Sequence, residues 1–360
     1  MLKKTIRRLG ALAMVLAMAV SVFAVNASAT TGVGTNSLTI KKTVTADGNT
    51  YAPATTFTFS IATAGEGEYD DNVVYAGVDG GAYFANGANQ ITFSAADGII
   101  DGTTGLTKTT AISTNASVFT NYGPGIYHYT VSETRGDYEG IAYDTTVRDL
   151  YVYVTNGDSG LVVSNVVLTK DTPKMIDKEA VVEKTKTDEW VNDYGKNNDT
   201  IHNVKVIKAV AGNQGNKDKL FEFEVGVTGA ANEKYKVVNE KYKVVYAETA
   251  NGTAQETTVE SGADLITISI KDTGYIQIYG LSANDKYTIH EKNYSDDGYN
   301  TTNNNVVTNK TSVNEVKTVT NTKNASTPGG VIMTIAPYAL MVVLAGAFAV
   351  VFLSRRNRAE

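Results

Sequence analysis

The sequence has no cysteine and few of the residues on which most enzyme chemistry depends. Among its 360 residues there are three histidines, five prolines and one tryptophan. Without thiols there are no disulfide bonds, thiolate metal sites or cysteine nucleophiles, and three histidines leave little material for a zinc site or a histidine base. We therefore expect no metal, no cofactor and no conventional enzyme activity.

The residues that are abundant instead favour β-structure. Glycine occurs 32 times and tyrosine 21 times, against 10 phenylalanines. Hydrophobic and polar residues alternate in many short segments, such as Phe57–Ile61, which is typical of half-buried strands. Turn-forming clusters such as Asn156–Gly160 separate these segments. The pattern predicts an all-β protein built of immunoglobulin-like β-sandwiches.

The first 29 residues have the features of a secretory signal peptide. Four basic residues among the first eight precede an apolar run from Leu9 to about Val25, and Ala27-Ser28-Ala29 follows. This order predicts export with cleavage after Ala29, and the alternative is an uncleaved N-terminal membrane anchor.

The C-terminal end predicts a membrane span. Residues 331–353 carry no charge and, as a helix, are long enough to cross a bilayer. The basic tail, residues 354–360, is expected to stay in the cytoplasm. Removing the +4 of the first segment and the +2 of the tail changes the formal net charge from −6 to −12. This acidic surface argues against a nucleic-acid partner.

The segment before the predicted span reads Ser326-Thr327-Pro328-Gly329-Gly330. A short polar motif, an apolar span and a basic stop in this order resemble the cell-wall sorting signal of Gram-positive surface proteins. That resemblance implies a sortase as a partner and covalent attachment to peptidoglycan or to another subunit. Gly329 stands where the family motif has threonine, and the alternative is an ordinary single-span anchor.

The exported part contains one plan of four features twice. Each copy has a lysine-bearing strand, a Phe-x-Phe strand, a Tyr-x-x-x-Glu strand with a β-branched residue at its centre, and a final strand that carries asparagine. The copies predict two domains, residues 30–198 and 199–325. The features are Leu38–Val44 and Val204–Val210, Phe57–Phe59 and Phe221–Phe223, Tyr129–Glu133 and Tyr287–Glu291, and Trp190–Asn192 and Val319–Asn321.

These features resemble the isopeptide-forming, collagen-adhesin B-type domains of Gram-positive pilins and surface adhesins, and above all the two-domain backbone pilins. In that family a lysine and an asparagine join spontaneously, with loss of ammonia, beside a catalytic glutamate. The resemblance implies two triads, Lys42, Glu133, Asn192 and Lys208, Glu291, Asn321. The neighbouring lysines, Lys41 and Lys205, remain alternatives.

Physical chemistry supports such a reaction independently of the resemblance. Burial between two sheets disfavours an ammonium ion and lowers the pKa of a lysine, so that its amine becomes nucleophilic. Burial also raises the pKa of a glutamate, which can then polarise the asparagine carboxamide and transfer protons. We expect the pair to titrate together and the fold to supply the proximity.

The resemblance also implies a function. It is that of a cell-surface structural protein, a pilus backbone subunit that sortase assembles or anchors to the wall. Lys184 and Lys186 lie shortly before Asn192, where the two-domain pilin has the lysine that accepts the next subunit. The first alternative is a monomeric anchored adhesin or stalk with a host or matrix ligand. The second is an extracellular enzyme, for which no catalytic constellation is apparent in the sequence.

Overall fold

The computed structural model describes residues 37–176, 179–197, 201–229, 240–282, 285–309 and 314–325, together with residue 341. The predicted signal peptide, sorting motif and basic tail, and the predicted span apart from Met341, lie outside these residues. Of the helices that the described residues form, none is long and apolar enough to cross a membrane.

The first half of the described chain forms thirteen strands and two short 3₁₀ turns, Ala95–Asp97 and Ala116–Phe119. The strands, in chain order, are β1 (Ser37–Thr45), β2 (Thr55–Thr63), β3 (Gly67–Tyr69), β4 (Asn72–Ala76), β5 (Ala82–Phe84), β6 (Gln90–Phe93), β7 (Leu106–Thr114), β8 (Gly125–Thr134), β9 (Ile141–Ala142), β10 (Arg148–Gly157), β11 (Gly160–Ile176), β12 (Glu179–Lys186) and β13 (Glu189–Tyr194).

These strands form two sheets with a shared hydrophobic core. One sheet has the order β5-β7-β1-β13-β9, and the other has the order β12-β11-β10-β8-β2-β6, with the β3–β4 hairpin joined to β8. The core includes aromatic side chains from both sheets, and the contact of Phe59 on β2 with Trp190 on β13 crosses it. The lysine- and glutamate-rich stretch before β13 is part of the long β11–β12 hairpin at the edge of the second sheet.

The second half forms ten further strands within the described residues. They are β14 (Ile201–Ala211), β15 (Phe221–Thr228), β16 (Lys241–Ala247), β17 (Gln255–Glu260), β18 (Ile266–Ile270), β19 (Tyr275–Ser282), β20 (Lys286–Glu291), β21 (Asn300–Thr302), β22 (Asn305–Asn309) and β23 (Glu315–Thr322). The sheet β17-β16-β19-β14-β23-β21 faces the sheet β18-β15-β20-β22 across a second core. The prediction of an all-β protein is confirmed.

In each half the first and last strands are adjacent and parallel. β1 pairs with β13 so that Lys42 is opposite Trp190, and β14 pairs with β23 so that Lys208 is opposite Val319. In both pairs the asparagine follows two residues after the lysine's partner. Because side chains alternate along a strand, the lysine and the asparagine point to the same face of their sheet.

Side chains of the two halves also contact each other directly. Ile201, at the start of β14, packs against the first core, close to Gly195. Hydrogen bonds between the halves include Tyr138 Oη to Glu240 Oε1 at 2.6 Å, Tyr51 Oη with Thr258 Oγ1 at 2.8 Å, and Lys243 Nζ to Asn49 Oδ1 at 3.3 Å.

We expect Phe59→Ala to lower the free energy of unfolding by about 3–5 kcal/mol, because it leaves a cavity between the two sheets. The measurement is denaturant unfolding followed by Trp190 fluorescence, in a Glu133→Gln background in which we expect no cross-link to form. Val73 is 66% exposed, so Val73→Ala is the control and should change the stability by less than about 0.5 kcal/mol. Equal losses in the two variants would contradict the cross-sandwich packing.

Candidate functional site

All six residues of the predicted triads lie in the inward-facing register of their strands. Along β1, Lys42 falls between buried Ile40 and Val44, and along β14, Lys208 falls between buried Val206 and Val210. The two asparagines and the two glutamates likewise continue buried alternations. Strand periodicity therefore directs polar groups to positions that an apolar residue would otherwise occupy.

The first cluster is closed by three short hydrogen bonds. Lys42 Nζ donates to Glu133 Oε2 at 2.7 Å, and Asn192 Nδ2 donates to Glu133 Oε1 at 2.6 Å. The carboxamide oxygen, Asn192 Oδ1, accepts the backbone N–H of Asp144 at 2.7 Å. One carboxylate thus contacts both the amine and the amide nitrogen, and the amide oxygen has its own donor.

The second cluster has the same residues in a looser arrangement. Asn321 Nδ2 donates to Glu291 Oε1 at 2.6 Å, but Lys208 Nζ lies 3.6 Å from Glu291 Oε2. Lys208 instead donates to the carbonyl oxygens of Ala209 and Val319, at 3.1 and 3.3 Å. Within the described part of the chain, Asn321 Oδ1 and Glu291 Oε2 have no hydrogen-bond partner.

Burial shifts the ionisation of both pairs toward their neutral forms. It lowers the pKa of Lys42 and of Lys208 to about 8, against the opposing pull of the neighbouring carboxylates. Burial also raises the pKa of Glu133 and of Glu291, against the stabilising lysine. The neutral amine and the neutral acid are therefore accessible near neutral pH, and the arrangement can hold a nucleophile against a polarised amide.

An aromatic ring lies beside each of the two lysines. Lys42 Nζ is 4.7 Å from the centre of the Phe57 ring, and Lys208 Nζ is 4.4 Å from that of Phe221. These are the first phenylalanines of the two Phe-x-Phe segments. The rings exclude water from the amines, although each also attracts the ammonium form.

The alternative lysines have other contacts. Lys41 points out of the sandwich and pairs with Asp188 at 2.9 Å, which raises its pKa. Lys205 lies over the Tyr275 ring, 4.0 Å from its centre. The structure therefore brings Lys42 and Lys208, and not their neighbours, to the glutamates.

The predicted acceptor lysines lie on β12, the edge strand of the larger sheet. Lys184 pairs with Asp149 and with Asp171, and Asp149 also binds His128 Nε2 at 2.8 Å. Partial burial disfavours the charged form of Lys184, but the hydrogen bonds to the two aspartates outweigh it and raise the pKa. Lys186 lies exposed on the same strand.

The donor from Asp144 is the part of the first cluster that the sequence analysis missed. Asp144 lies in the connection between β9 and β10, and it is bound by the buried Arg148 at the start of β10. The sequence contains one signal for a buried Arg148. This residue continues the inward-facing alternation of Leu150 and Val152 on β10, as Lys42 does on β1. Among the described residues, no group of three or more histidine, aspartate or glutamate side chains could hold a metal ion.

Comparison with known families covers nearly all of the described chain. Residues 38–195, which contain the first cluster, match the family described as the Spy0128-like isopeptide-containing domain. Residues 202–323, which contain the second cluster, match a domain of unknown function, DUF7601. The description of this second match does not mention isopeptide bonds, although the second cluster has the same three residue types as the first.

Known pilins are similar to the chain as a whole. A pilin of Streptococcus pyogenes serotype M1 is 28% identical over 253 residues, which cover 65% of this chain and 68% of the relative. The resemblance to Gram-positive backbone pilins is confirmed.

Solved structures of two major pilins have a similar fold. The major pilin of Streptococcus pyogenes gives a TM-score of 0.53 at 22% identity, covering 82% of this chain and 100% of that one. The major pilin T3.2 of the same species gives 0.50 at 23%, covering 81% and 99%.

The coupled pair predicts a bell-shaped dependence of cross-linking on pH. We expect Lys42 and Glu133 to hold one proton between them near neutral pH, and the predicted reaction needs that proton on the carboxyl group. Since the pKa of Lys42 is about 8, raising the pH through that value removes the shared proton and slows the reaction. Acidification protonates both groups and removes the free amine. Refolding at different pH values, with the mass loss timed, measures this profile, and a rate that keeps rising to pH 10 would contradict it.

Proposed function

We propose that this protein is a subunit of a Gram-positive pilus backbone in which each domain is stabilised by an autocatalytic Lys–Asn isopeptide bond. One observation carries the proposal. Two buried Lys–Glu–Asn clusters occupy the same place in two successive sandwiches, between the first and the last strand. The similarity to a pilin and to major pilin structures supports the assembled state.

The reaction in the first domain is an amide exchange that needs no external reagent. A proton passes from the Lys42 ammonium to Glu133, and the free amine attacks Cγ of Asn192. The tetrahedral intermediate collapses as the acid of Glu133 protonates Nδ2, so that the Cγ–Nδ2 bond breaks and ammonia leaves. The amine's remaining excess proton returns to the carboxylate. The products are one secondary amide, one ammonia, and Glu133 as the neutral acid, which now holds the proton that the Lys42 ammonium gave up.

The position of the bond suits a load-bearing subunit. It joins the two strands through which the chain enters and leaves the domain, so tension along the chain passes through the cross-link and not through the core. The bond between Lys42 and Asn192 closes the loop formed by nearly the whole first domain. Closing a loop of this size also stabilises the folded state, on the order of 4–5 kcal/mol by analogy with disulfides. We infer no enzyme activity beyond this self-modification.

Export and assembly complete the proposal. The signal peptide directs secretion, the C-terminal span holds the chain until sortase acts, and the sorted carbonyl joins a lysine of the next subunit or peptidoglycan. The product is at the cell surface. Lys184 and Lys186 are the proposed acceptors, and the two ion pairs of Lys184 favour Lys186 as the nucleophile.

We expect residues 30–325 to have a mass about 34 Da below the sequence mass, because each bond releases one ammonia of about 17 Da. Glu133→Gln and Glu291→Gln should each restore about 17 Da, since each variant stops one reaction. Intact mass spectrometry measures this, with Glu68→Gln, at an exposed position of the first domain, as the matched control. An unshifted wild-type mass would refute the isopeptide proposal.

We expect replacement of both Lys184 and Lys186 by arginine to abolish the high-mass ladder that co-expression with the cognate sortase produces. Arginine keeps the charge but is not a nucleophile at neutral pH. Lys174→Arg, on the same hairpin, is the control and should leave the ladder intact. A ladder in the double variant would exclude both acceptors, and a single band in the wild type would favour the anchored monomer.

A further inference from the structure

The two clusters differ at the carboxamide oxygen, the atom that becomes negatively charged when the amine attacks. In the first cluster, Asn192 Oδ1 accepts the Asp144 N–H at 2.7 Å. In the second, Asn321 Oδ1 is buried and has no hydrogen-bond partner among the described residues. A backbone donor directed at a developing oxyanion is among the strongest contributions to acyl-transfer catalysis.

The backbone around this donor is fixed by one buried arginine. Arg148 Nη2 donates to Asp144 Oδ2 at 2.6 Å, and Nη1 donates to the carbonyl oxygen of Thr146 at 2.6 Å. The same carboxylate accepts the backbone N–H of Thr146 at 3.0 Å. Hydrogen bonds within the segment from Asp144 to Arg148, made by both its side chains and its backbone, therefore hold the segment in place.

The same guanidinium also binds the strand that carries the asparagine. Arg148 Nη2 donates to the carbonyl oxygen of Glu189 on β13 at 3.1 Å, and the guanidinium lies 4.5 Å from the centre of the Trp190 ring. Arg148 is only 2% exposed, and a buried charge costs free energy that its partners must offset. Its contacts join the loop that holds the donor to the strand that holds the acceptor.

We propose that the Asp144 N–H is the oxyanion donor of the first cross-linking reaction and that Arg148 is the residue that positions it. This inference rests on the proposed isopeptide chemistry and adds a step to it. When Lys42 Nζ bonds to Cγ, the electron pair of the carbonyl moves to Oδ1, where the N–H stabilises it. The pair returns as the Cγ–Nδ2 bond breaks and ammonia leaves. The second cluster performs the same exchange without this donor.

The experiment times both reactions in one molecule. Residues 30–325 are recovered unreacted from denatured inclusion bodies and refolded, and samples are quenched in acid at intervals. Digestion and mass spectrometry then give the fraction cross-linked at each cluster, while Trp190 fluorescence reports the folding of the first domain. In the wild type we expect the first cluster to react faster than the second.

Arg148→Met should slow the first reaction by about 10- to 100-fold and leave the second unchanged, because only the first uses the donor. Arg148→Lys keeps one ionic contact and should recover part of the rate. Arg135→Met, which changes an exposed arginine in the same domain, is the matched control and should have no effect. The rates are compared after the fluorescence change is complete, so that slow folding is not counted as slow chemistry.

The pH profile separates positioning from simple electrostatics. The positive charge of Arg148 also lowers the pKa of Lys42, with Asp144 and Glu133 acting in the opposite direction. If Arg148 acted only through this charge, Arg148→Met would raise the pKa of Lys42. The alkaline limb of the profile would then move to higher pH, and the maximal rate would be unchanged. We expect a lower maximum instead. An unchanged maximum would overturn the inference.

A second pair of variants tests the donor directly. Asp144→Ala keeps the N–H and removes the carboxylate, whereas Asp144→Pro removes both. We expect the proline variant to be the slower of the two at the first cluster, and equal rates would overturn the donor role.

A wild type that loses no ammonia at either cluster would refute the proposed function itself. Normal wild-type loss with an unimpaired Arg148→Met variant would refute only this inference.

Discussion

The parallel pairing of the first and last strands of each sandwich is the constraint on which the rest of the structure depends. It fixes the asparagine two residues beyond the lysine's partner, on the same face, in both halves of the chain. The facing sheet then needs to supply only one carboxylate, and the strand that pairs with the Phe-x-Phe strand does so in both halves. The strand topology therefore holds the lysine, the asparagine and the glutamate close together, an arrangement that would be improbable for free groups in solution.

The same constraint explains why charged groups are tolerated in a hydrophobic core. Burying a lysine and a glutamate separately would be very costly, but together they can exist as a neutral amine and a neutral acid joined by a proton. In the proposed function, conversion to an amide then removes both the charge and the titratable amine. The core would therefore contain the lysine amine only until the reaction is complete, while the glutamate remains as a neutral acid. A transient instability of the precursor would become a permanent stabilisation of the product.

Much of this could be predicted from the sequence, since strands, turns and the repeated order of features are local patterns. The sequence also distinguishes Lys42 from Lys41. Lys42 lies two residues from both Ile40 and Val44, so its side chain points to the same buried face of the strand, whereas that of Lys41 does not. The role of Asp144 was not predictable. Its donor comes from the backbone of a connection, and its distance from Asn192 depends on how two sheets pack. The different donor environments of the two asparagines are likewise a tertiary property that matching sequence motifs conceal.

The most direct test of the central claim is to identify the joined atoms in the wild-type protein by sequencing the cross-linked peptides with tandem mass spectrometry. We expect two branched peptides, one that joins Lys42 to Asn192 and one that joins Lys208 to Asn321. Linear peptides throughout, or branches at Lys41 or Lys205, would contradict the claim.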